Sequence, residues 1–309
     1  MKICVVGPGA LGCLFAAFLA RAGHEVVVVD RHPERARLIA AQGIVLHEEQ
    51  GRSSVPVRAT ARPDQIGEVQ LAFLCVKSDA VAGAVRDLLP SLAGQGLLIA
   101  LQNGLAHHPL LTEILHQNWA LGVTAQGANL LGPGMVRHGG SGPTTVGFLA
   151  EVGDSARDRL KEAAGLLNRA GIPTTISPDI LAAAWNKLIV NAGINALTVL
   201  EDCTNGELLH RPAALATLQA AVREAAQVAM TCGIQVMADP VSMTIAVCRE
   251  TKENISSMLQ DIRQGRHTEV EAINGAIIRQ AQALGLPVPV NQALLAGVKA
   301  LEGKRSKAS

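Results

Sequence analysis

Residues 2–12 read KICVVGPGALG, in which an apolar, β-branched run leads directly into the pattern Gly-x-Gly-x-x-Gly at Gly7, Gly9 and Gly12. In a strand–turn–helix unit, the first glycine allows a tight turn, the second lets the backbone approach a pyrophosphate, and the third lets the helix pack close to the strand. Ala10–Ala22 has helical spacing, and a helix amino terminus offers unpaired N–H groups to an anion. The pattern predicts a dinucleotide-binding loop made of Gly7, Pro8, Gly9, Ala10, Leu11 and Gly12.

The end of the next predicted strand, Glu25–Asp30, carries two opposing signals about the nucleotide. A carboxylate at this place, here Asp30, usually binds the ribose 2′-hydroxyl of NAD, whereas an arginine beside it, here Arg31, can bind the 2′-phosphate of NADP. Both residues are present, so these residues leave the choice between NADP and NAD open. Arg35 and Arg37 could add positive charge, although arginines on a helix surface are more often simply solvated.

The first half of the chain alternates short apolar strands with helical segments. Buried strands are predicted at Ala72–Val76 and Gly96–Leu101, separated by a helical run at Ala80–Leu92. Because hydrophobicity is continuous along these strands, both of their faces are expected to be covered, as in a parallel sheet flanked by helices. Gly132–Gly142 is predicted to be a turn-rich segment, and Asp154–Ala170 a helix.

The second half has a different character, because strand patterns almost vanish after Pro178 and Ala- and Leu-rich helical patterns take over. Helices are predicted at 179–200, 212–232, 240–263 and 267–284. We therefore predict an α/β protein with a Rossmann-type, doubly wound dinucleotide-binding domain at residues 1–176 and an all-helical substrate-binding and catalytic domain at residues 177–309. The basic tail Lys304–Ser309 is expected to fray.

Composition argues against several classes of function. The 309 residues include 27 basic and 26 acidic side chains, so the net charge of +1 supplies no broad footprint for nucleic acid or an anionic membrane. Aromatic residues make up only 2% of the chain, which disfavours a surface built on base stacking. No uninterrupted apolar segment reaches the ~18 residues that span a bilayer. We expect no nucleic-acid partner and no membrane partner.

Cysteine and histidine usage points to a protein without structural metal or disulfides. The six cysteines lie far apart and form no C-x-x-C pair, so a reducing cytoplasm is the expected location. The amino-terminal residues superficially resemble a signal peptide, but glycines interrupt the apolar run and a strand pattern follows it. None of the nine histidines has i, i+4 spacing with another ligand, so no metal site is predicted.

A polar pattern inside an apolar segment is the main chemical signal of the second half. Lys187, Asn191 and Asn195 recur every four residues and would lie along one face of a helix. Their neighbours are apolar, and buried amides or ammonium groups are costly without partners. Two interpretations stay open at this point: an internal hydrogen-bond network between helices, or a ligand that bears a carboxylate and a carbonyl.

Other polar residues fall where a ligand could use them. Residues 253–261 and 266–269 together offer an anion donor and a carboxylate partner for Lys187. In the first half, Val76-Lys77 and Gln102-Asn103-Gly104 follow two of the predicted buried strands. The carboxyl ends of strands in an open α/β sheet face the crevice where ligands bind, so these loops are candidate contacts.

Two segments carry a resemblance to a known family: GPGALG at residues 7–12 and the longer NISSMLQDIRQGRHTEVEAINGAI at residues 254–277. With them, nearly the whole chain resembles the ketopantoate reductase (2-dehydropantoate 2-reductase) family. The resemblance implies a Rossmann domain joined to a helical domain, with NADPH and substrate bound in the cleft between them. It also implies reduction of 2-dehydropantoate to pantoate, a step towards pantothenate and coenzyme A.

The resemblance implies roles for individual residues. Lys187 would be the proton donor and Glu269 would lie beside the nicotinamide and the lysine. The implied cofactor contacts are the loop from Gly7 to Gly12, Arg31, Lys77, Asn103, Ala128 and Glu269. The implied substrate contacts are Asn103, Lys187, Asn191, Asn195, Asn205, Asn254 and Ser257, with the segment from Asn254 to Ser257 receiving the carboxylate. NADP is the implied cofactor, and Asp30 leaves NAD use open.

Three alternatives accompany this prediction. A related NAD(P)H-dependent reductase of another bulky 2-oxo acid would keep the lysine and asparagines and change the apolar pocket residues. A β-hydroxy-acid dehydrogenase would oxidise a 3-hydroxy acid with NAD, also by a helix lysine. A silent NAD(P)-sensing module would bind cofactor without turnover. The expected partner is a small 2-oxo acid, and a homodimer is left open.

Overall fold

The computed structural model describes residues 1–105, 107–116 and 119–306, and its contacts divide the chain into two compact units. The first unit comprises 1–102 and 107–180, and the second comprises 181–306 together with the short segment 103–105. This division falls four residues after the predicted boundary at 176. It also assigns the segment after the strand ending at Ala100 to the second unit, which no periodicity in the sequence indicates.

The first unit holds all the strands of the described part of the chain, in two sheets. The strands are β1 (Lys2–Val6), β2 (Glu25–Val29), β3 (Ile44–Glu48), β4 (Gly51–Val55), β5 (Arg58–Thr60), β6 (Val69–Leu74), β7 (Leu92–Ala100), β8 (Trp119–Thr124), β9 (Gly127–Gly132), β10 (Met135–Gly140), β11 (Thr144–Gly147) and β12 (Thr174–Ile176). The larger sheet has the order β12-β11-β8-β7-β6-β1-β2-β5 and is parallel except where β11 runs antiparallel to β8.

The centre of the larger sheet is its topological switch point. On β1, Val5 pairs with Val28 of β2 on one side and with Phe73 of β6 on the other, both in parallel. The chain leaves β1 into the loop at residues 7–12, so that loop starts at the carboxyl edge where ligands bind in doubly wound folds. The predicted α/β fold class, with its parallel sheet of buried strands, is confirmed.

The helices are assigned to both units. They are α1 (Ala10–Arg21), α2 (Pro33–Gln42), α3 (Val81–Leu88), α4 (His108–Leu115), α5 (Asp154–Arg169), α6 (Ile180–Glu201), α7 (Pro212–Thr231), α8 (Pro240–Glu250), α9 (Ser257–Arg263), α10 (Val270–Leu284) and α11 (Pro289–Ser306). Helix α1 is buried on every side from Gly12 to Leu19, because it packs on β1 and β2 and also against the second sheet. A helix that is apolar all round needs such double coverage.

That second sheet corrects one prediction. Gly132–Gly142, expected to be a turn-rich segment, contains β10, which pairs antiparallel with β9 and parallel with β3 in the order β4-β3-β10-β9. Only Pro133 and Gly134 form the turn, with Gly134 at a φ of 69°. Two register shifts interrupt the short ladder, and its glycines mask the alternation by which a strand is recognised.

The helical unit corrects two more predictions. The segment 240–263 is not one helix, because residues between α8 and α9 pair with the chain elsewhere: the amides of Asn205 and Gly206 donate to the carbonyls of Asn254 and Lys252. The side chains of Asp239 and Ser256 cap the two separate helices. The tail expected to fray from Lys304 instead continues α11 to Ser306, and residues 307–309 lie outside the described part.

By length and composition, α6 is the one helix in the described ranges that could cross a bilayer. In its most apolar 18-residue window, 67% of the residues are buried inside the protein. Its neighbours in the second core include Leu218 and Val222 of α7 and Ile273 of α10. Such burial is typical of a core helix.

Glu224 on α7 stabilises the start of α11. Its carboxylate accepts the backbone N–H groups of Val290 and Asn291, each at 2.9 Å, and the Asn291 side-chain amide at 2.8 Å. We expect Glu224→Ala to lower the free energy of unfolding by about 3 kcal/mol, because it leaves three donors unpaired at a helix amino terminus. Glu224→Gln should cost less, and Gln227→Ala on the exposed side of α7 should cost little. Urea unfolding monitored by circular dichroism measures all three variants, and equal losses for Glu224→Ala and Gln227→Ala would contradict the capping role.

Candidate functional site

The loop at residues 7–12 has a conformation that requires glycine at two places. Gly7 has a φ of 94°, and a Cβ there would lie 2.7 Å from a Val76 side-chain carbon. A Cβ at Gly12 would lie 2.1 Å from the Gly7 carbonyl oxygen and 3.2 Å from Cys75 Cβ. The Gly7 amide also donates to the Val29 carbonyl at 2.9 Å, which ties the loop to β2. Any side chain at Gly12 would push α1 away from the sheet.

Gly9 occupies a different position, because its missing side chain faces open space. It is exposed and is the N-cap of α1, and a Cβ there would meet nothing within 4 Å. No side chain caps α1, and its first turn has no acidic residue. The first N–H groups of this 12-residue helix therefore face an open, uncapped end that suits a phosphate. The loop fits a dinucleotide on this geometry.

The other candidate cofactor contacts of the first unit are divided between the two sheets: Lys77 and Arg31 follow strands of the larger sheet at its carboxyl edge, and Ala128 lies in the second sheet. Lys77 is partly buried three residues after β6. Arg31 follows β2 and is exposed, with its Nε 3.2 Å from His32 Nε2. Ala128 lies on β9, opposite His138 of β10, and β9 packs against α1.

Gln102 has a positioning role that the sequence did not reveal. Its Nε2 donates to the carbonyls of Leu74 at 2.8 Å and Val76 at 3.0 Å, so it ties the ends of β6 and β7 together just before Lys77. Its Oε1 is buried and has no partner among the described residues. The sequence showed only that Gln102 follows a strand, and no spacing signals a bond to the neighbouring strand.

In the second unit, α6 carries a polar stripe made of Lys187, Asn191 and Asn195. The first two side chains are partly buried and Asn195 is 6% exposed. Within the described ranges, none of the three side chains is hydrogen-bonded to another protein group. The described ranges therefore show no hydrogen-bond network that joins these side chains to other helices, although Lys187 interacts electrostatically with Glu269 at the start of α10.

Lys187 has an electrostatic environment suited to proton transfer. Burial lowers the pKa of its ammonium group from 10.5 to about 8, and the nearby Glu269 carboxylate opposes that shift. Glu269 precedes α10 and accepts a hydrogen bond of 3.1 Å from Asn103 Nδ2. A lysine with a pKa near 8 is partly protonated and partly neutral close to physiological pH, as a general acid or base needs to be.

Gly104 explains how Asn103 reaches Glu269. It has a φ of 80°, and a Cβ there would lie 2.1 Å from the carbonyl oxygen of Ala272 on α10. The segment 103–105 therefore passes directly against the first turn of α10, and only glycine permits this approach. The signal in the sequence was the Asn-Gly pair after a strand, which indicates a turn without showing what it contacts.

A second polar group lies at the junction of α8 and α9. Asn205 Nδ2 donates to Thr251 Oγ1 at 2.9 Å, whereas its Oδ1 is buried and without a partner in the residues that the structure describes. Asn254 and Ser257 are exposed. A buried carbonyl oxygen without a donor is suited to a hydroxyl group of a ligand.

Ser256, in the segment 254–257 that is expected to receive a carboxylate, has its hydroxyl engaged in hydrogen bonds within the protein. The Ser256 hydroxyl accepts the Leu259 amide at 3.1 Å as N-cap of α9, and it accepts the Thr198 hydroxyl at 2.6 Å. Ser256 is therefore a helix cap, and its side chain is largely buried, with the residue 6% exposed. From the sequence alone, the adjacent Ser256 and Ser257 could not be told apart as helix cap and ligand contact. Ser257 stays the candidate. Over the described ranges, no three His, Cys, Asp or Glu residues cluster as a metal site.

Comparisons with known proteins match both halves of the chain. The family described as "Ketopantoate reductase PanE/ApbA" matches residues 3–151, and its C-terminal part, "Ketopantoate reductase PanE/ApbA C terminal", matches residues 179–302. The 2-dehydropantoate 2-reductase of Halobacterium salinarum is 34% identical over 95% of this chain and 96% of its own. The enzyme of that name from Pyrococcus abyssi is 32% identical over 99% of this chain and 100% of its own.

Solved structures agree with the sequence comparisons. A PanE/ApbA family ketopantoate reductase from Ralstonia eutropha has a TM-score of 0.88 and 32% identity, covering 99% of this chain and 100% of its own. D-mandelate dehydrogenase with NADH and anilino(oxo)acetate has a TM-score of 0.91 and 27% identity, with the same coverage. The resemblance drawn from residues 7–12 and 254–277 is confirmed.

Proposed function

Because the chain belongs to the ketopantoate reductase family, we propose that it reduces 2-dehydropantoate to pantoate with NADPH. The observation that carries the proposal is the polar stripe: two amides and an ammonium group on a buried helix, without hydrogen-bond partners in the described part of the chain. Groups of this kind are tolerated where a ligand supplies the partners. A 2-oxo acid with hydroxyl and carboxylate groups has the complementary chemistry.

Each group of the second unit has a role in this proposal. Lys187 Nζ donates a proton to the substrate's keto oxygen as negative charge develops there. Glu269, held by Asn103, keeps the lysine protonated by its charge. The three amides of Asn191, Asn195 and Asn205 orient the substrate's oxygens, and Asn254 and Ser257 receive its carboxylate. These roles follow the family pattern, and the burial, unpaired atoms and charges described above support them.

The first unit would hold the cofactor. The open end of α1 at Gly9 would face the pyrophosphate, with Lys77 and Ala128 as further contacts and Arg31 at the 2′-phosphate of NADP. When bound, the reduced nicotinamide supplies the hydride. The protein supplies orientation, the proton and the electrostatic environment.

The direct test is an absorbance assay at the reduced-nicotinamide band, with ketopantoate and each of NADPH and NADH. Turnover of ketopantoate with NADPH is expected, and binding of cofactor without turnover of any 2-oxo acid would contradict the proposal and favour a sensing module. A panel run in both directions, including 3-hydroxy acids, separates this activity from that of a β-hydroxy-acid dehydrogenase.

A second candidate is reduction of another bulky 2-oxo acid. The similarity to D-mandelate dehydrogenase, at a TM-score of 0.91, favours it, because the bound anilino(oxo)acetate in that structure is an aromatic oxo acid derivative. The same lysine and asparagines would serve both substrates. Comparing kcat/KM for ketopantoate with that for aromatic and branched 2-oxo acids decides between them.

We predict a characteristic pH dependence. Since the acid form of Lys187 is required and its pKa is about 8, kcat/KM for reduction should fall about tenfold per pH unit above about pH 8. Glu269→Gln removes the charge that raises the lysine's pKa, so the decline should begin at a lower pH. A wild-type profile that stays level to about pH 10, or a decline that moves upward in the variant, would contradict this assignment.

Ser257 and Ser256 provide a matched pair for the carboxylate contact. Ser257→Ala should raise KM for the oxo acid several-fold and leave thermal stability unchanged, because the hydroxyl is exposed. Ser256→Ala should lower stability by about 1 kcal/mol, because it removes a helix cap. Steady-state kinetics and thermal unfolding measure both variants. An unchanged KM for Ser257→Ala would mean that the carboxylate binds elsewhere.

A further inference from the structure

The conflict between Asp30 and Arg31 is resolved by a third residue. The Asp30 side chain is 1% exposed and accepts a two-pronged hydrogen bond from Arg35, with Nε at 2.7 Å from Oδ2 and Nη2 at 2.7 Å from Oδ1. The amide of His32 donates a third bond to Oδ1 at 3.0 Å. Three of the roughly four acceptor positions of the carboxylate are thus used, and its charge is compensated by Arg35.

This arrangement removes the group that would select a ribose 2′-hydroxyl. The Asp30 side chain is 1% exposed and paired with a planar guanidinium, so its carboxylate is poorly placed to accept a hydrogen bond from a sugar. Arg35 is in the first turn of α2, five residues after Asp30, so the loop between β2 and α2 closes on this pair. Asp30 and Arg35 compensate each other's charge, whereas the exposed Arg31 beside them forms no ion pair within the described ranges.

We propose that Arg35 is a positioning residue that determines cofactor specificity: by binding Asp30 it frees Arg31 for a 2′-phosphate, and so makes the site prefer 2′-phosphorylated adenine nucleotides. The inference rests on the proposed function, since it concerns the adenosine end of that nucleotide site. Arg35 acts through Asp30 and needs no contact with the nucleotide. Without Arg35, the buried carboxylate would repel a 2′-phosphate and accept a hydroxyl.

The test uses binding of two fragments, adenosine 2′,5′-bisphosphate and adenosine 5′-monophosphate, measured by titration calorimetry on the full chain. The wild type should bind the bisphosphate about tenfold more tightly or better. Arg35→Met should reduce that preference about tenfold, and Asp30→Asn combined with Arg35→Met should restore it, because the repelling charge is gone. Arg37→Met, on the exposed surface of α2, is the matched control and should keep the wild-type preference.

The outcomes separate the inference from the function on which it rests. A preference in Arg35→Met equal to that of the wild type would overturn the inference, as would failure of the double variant to restore it. If Arg35→Met does not fold, Arg35→Lys provides the test, because it keeps the charge but cannot form both hydrogen bonds of the guanidinium. Arg35→Lys should show a weaker preference for the bisphosphate than the wild type. A preference equal to the wild type's would count against the proposal. Binding of neither fragment to the wild type would instead overturn the nucleotide site itself.

Discussion

Replacing Lys187 by methionine is expected to lower kcat for 2-oxo acid reduction by about 10³-fold. Methionine has a similar length and suits the apolar surroundings of α6, so the helix should keep its packing. What is lost is the proton donor and the positive charge opposite the developing oxyanion. The measurement is steady-state kinetics with saturating NADPH and ketopantoate, alongside calorimetric binding of adenosine 2′,5′-bisphosphate, which should be unchanged.

Two further variants show whether the proton or only the charge matters. Lys187→Arg keeps a cation, but a guanidinium does not release its proton at these pH values, so it should not restore kcat. Lys161→Met, at an exposed lysine paired with Asp158, should leave kcat near that of the wild type. If Lys187→Met turned over at a near-normal rate, the lysine would have no place in the mechanism.

The second large effect concerns the glycine loop. Gly12→Ala should weaken nucleotide binding about 100-fold and lower thermal stability, because its Cβ would overlap the Gly7 carbonyl oxygen and no rotamer relieves that contact. Gly9→Ala should weaken nucleotide binding with a loss of stability of no more than about 1 kcal/mol, because its Cβ enters only the open space at the end of α1 and alanine is a poorer N-cap than glycine. Calorimetry and thermal unfolding distinguish the two effects.

Gly153 supplies the matched control for Gly9. It is the N-cap of α5, has a φ of −68° against −71° for Gly9, and a Cβ there would also meet nothing within 4 Å. Gly153→Ala should therefore leave nucleotide binding unchanged and lower stability by no more than about 1 kcal/mol, the difference between glycine and alanine as an N-cap. If Gly9→Ala bound the nucleotide as tightly as Gly153→Ala, the space before α1 would not be a phosphate site.

The elements that could be predicted from the sequence are those whose patterns lie within a short stretch of neighbouring residues. The apolar runs at β1 and β2 and the helical spacing of α5 and α6 each occupy neighbouring residues, and all four elements occur near the predicted places. The second sheet was missed, because its pairing joins residues far apart in the chain, such as Val45 and Met135. The break between α8 and α9 was missed for the same reason, since the chain there pairs with residues 205 and 206.

The candidate site shows the same division. Spacing alone predicted that Lys187, Asn191 and Asn195 lie on one face of a helix. The resemblance to the family added Glu269 and Ser257 as candidates. The sequence did not show three contacts that position these groups. They are the hydrogen bond from Asn103 to Glu269, the hydrogen bond from Gln102 that joins the ends of two strands, and the cap of α9 by Ser256. The first two contacts join residues that are far apart in the sequence, so only packing brings them together. Packing also decides which of the adjacent Ser256 and Ser257 is the helix cap.

The amino-acid sequence by itself determined the nucleotide loop, the places of β1, β2, α5 and α6, and the row of polar groups on α6, because glycine spacing, apolar runs and helical period act over a few residues. Tertiary structure alone decided that this row lacks hydrogen-bond partners within the described ranges, that burial lowers the pKa of Lys187, and that Asp30 is bound by Arg35. Those properties depend on exclusion of water and on distances between folded segments, which no local pattern encodes.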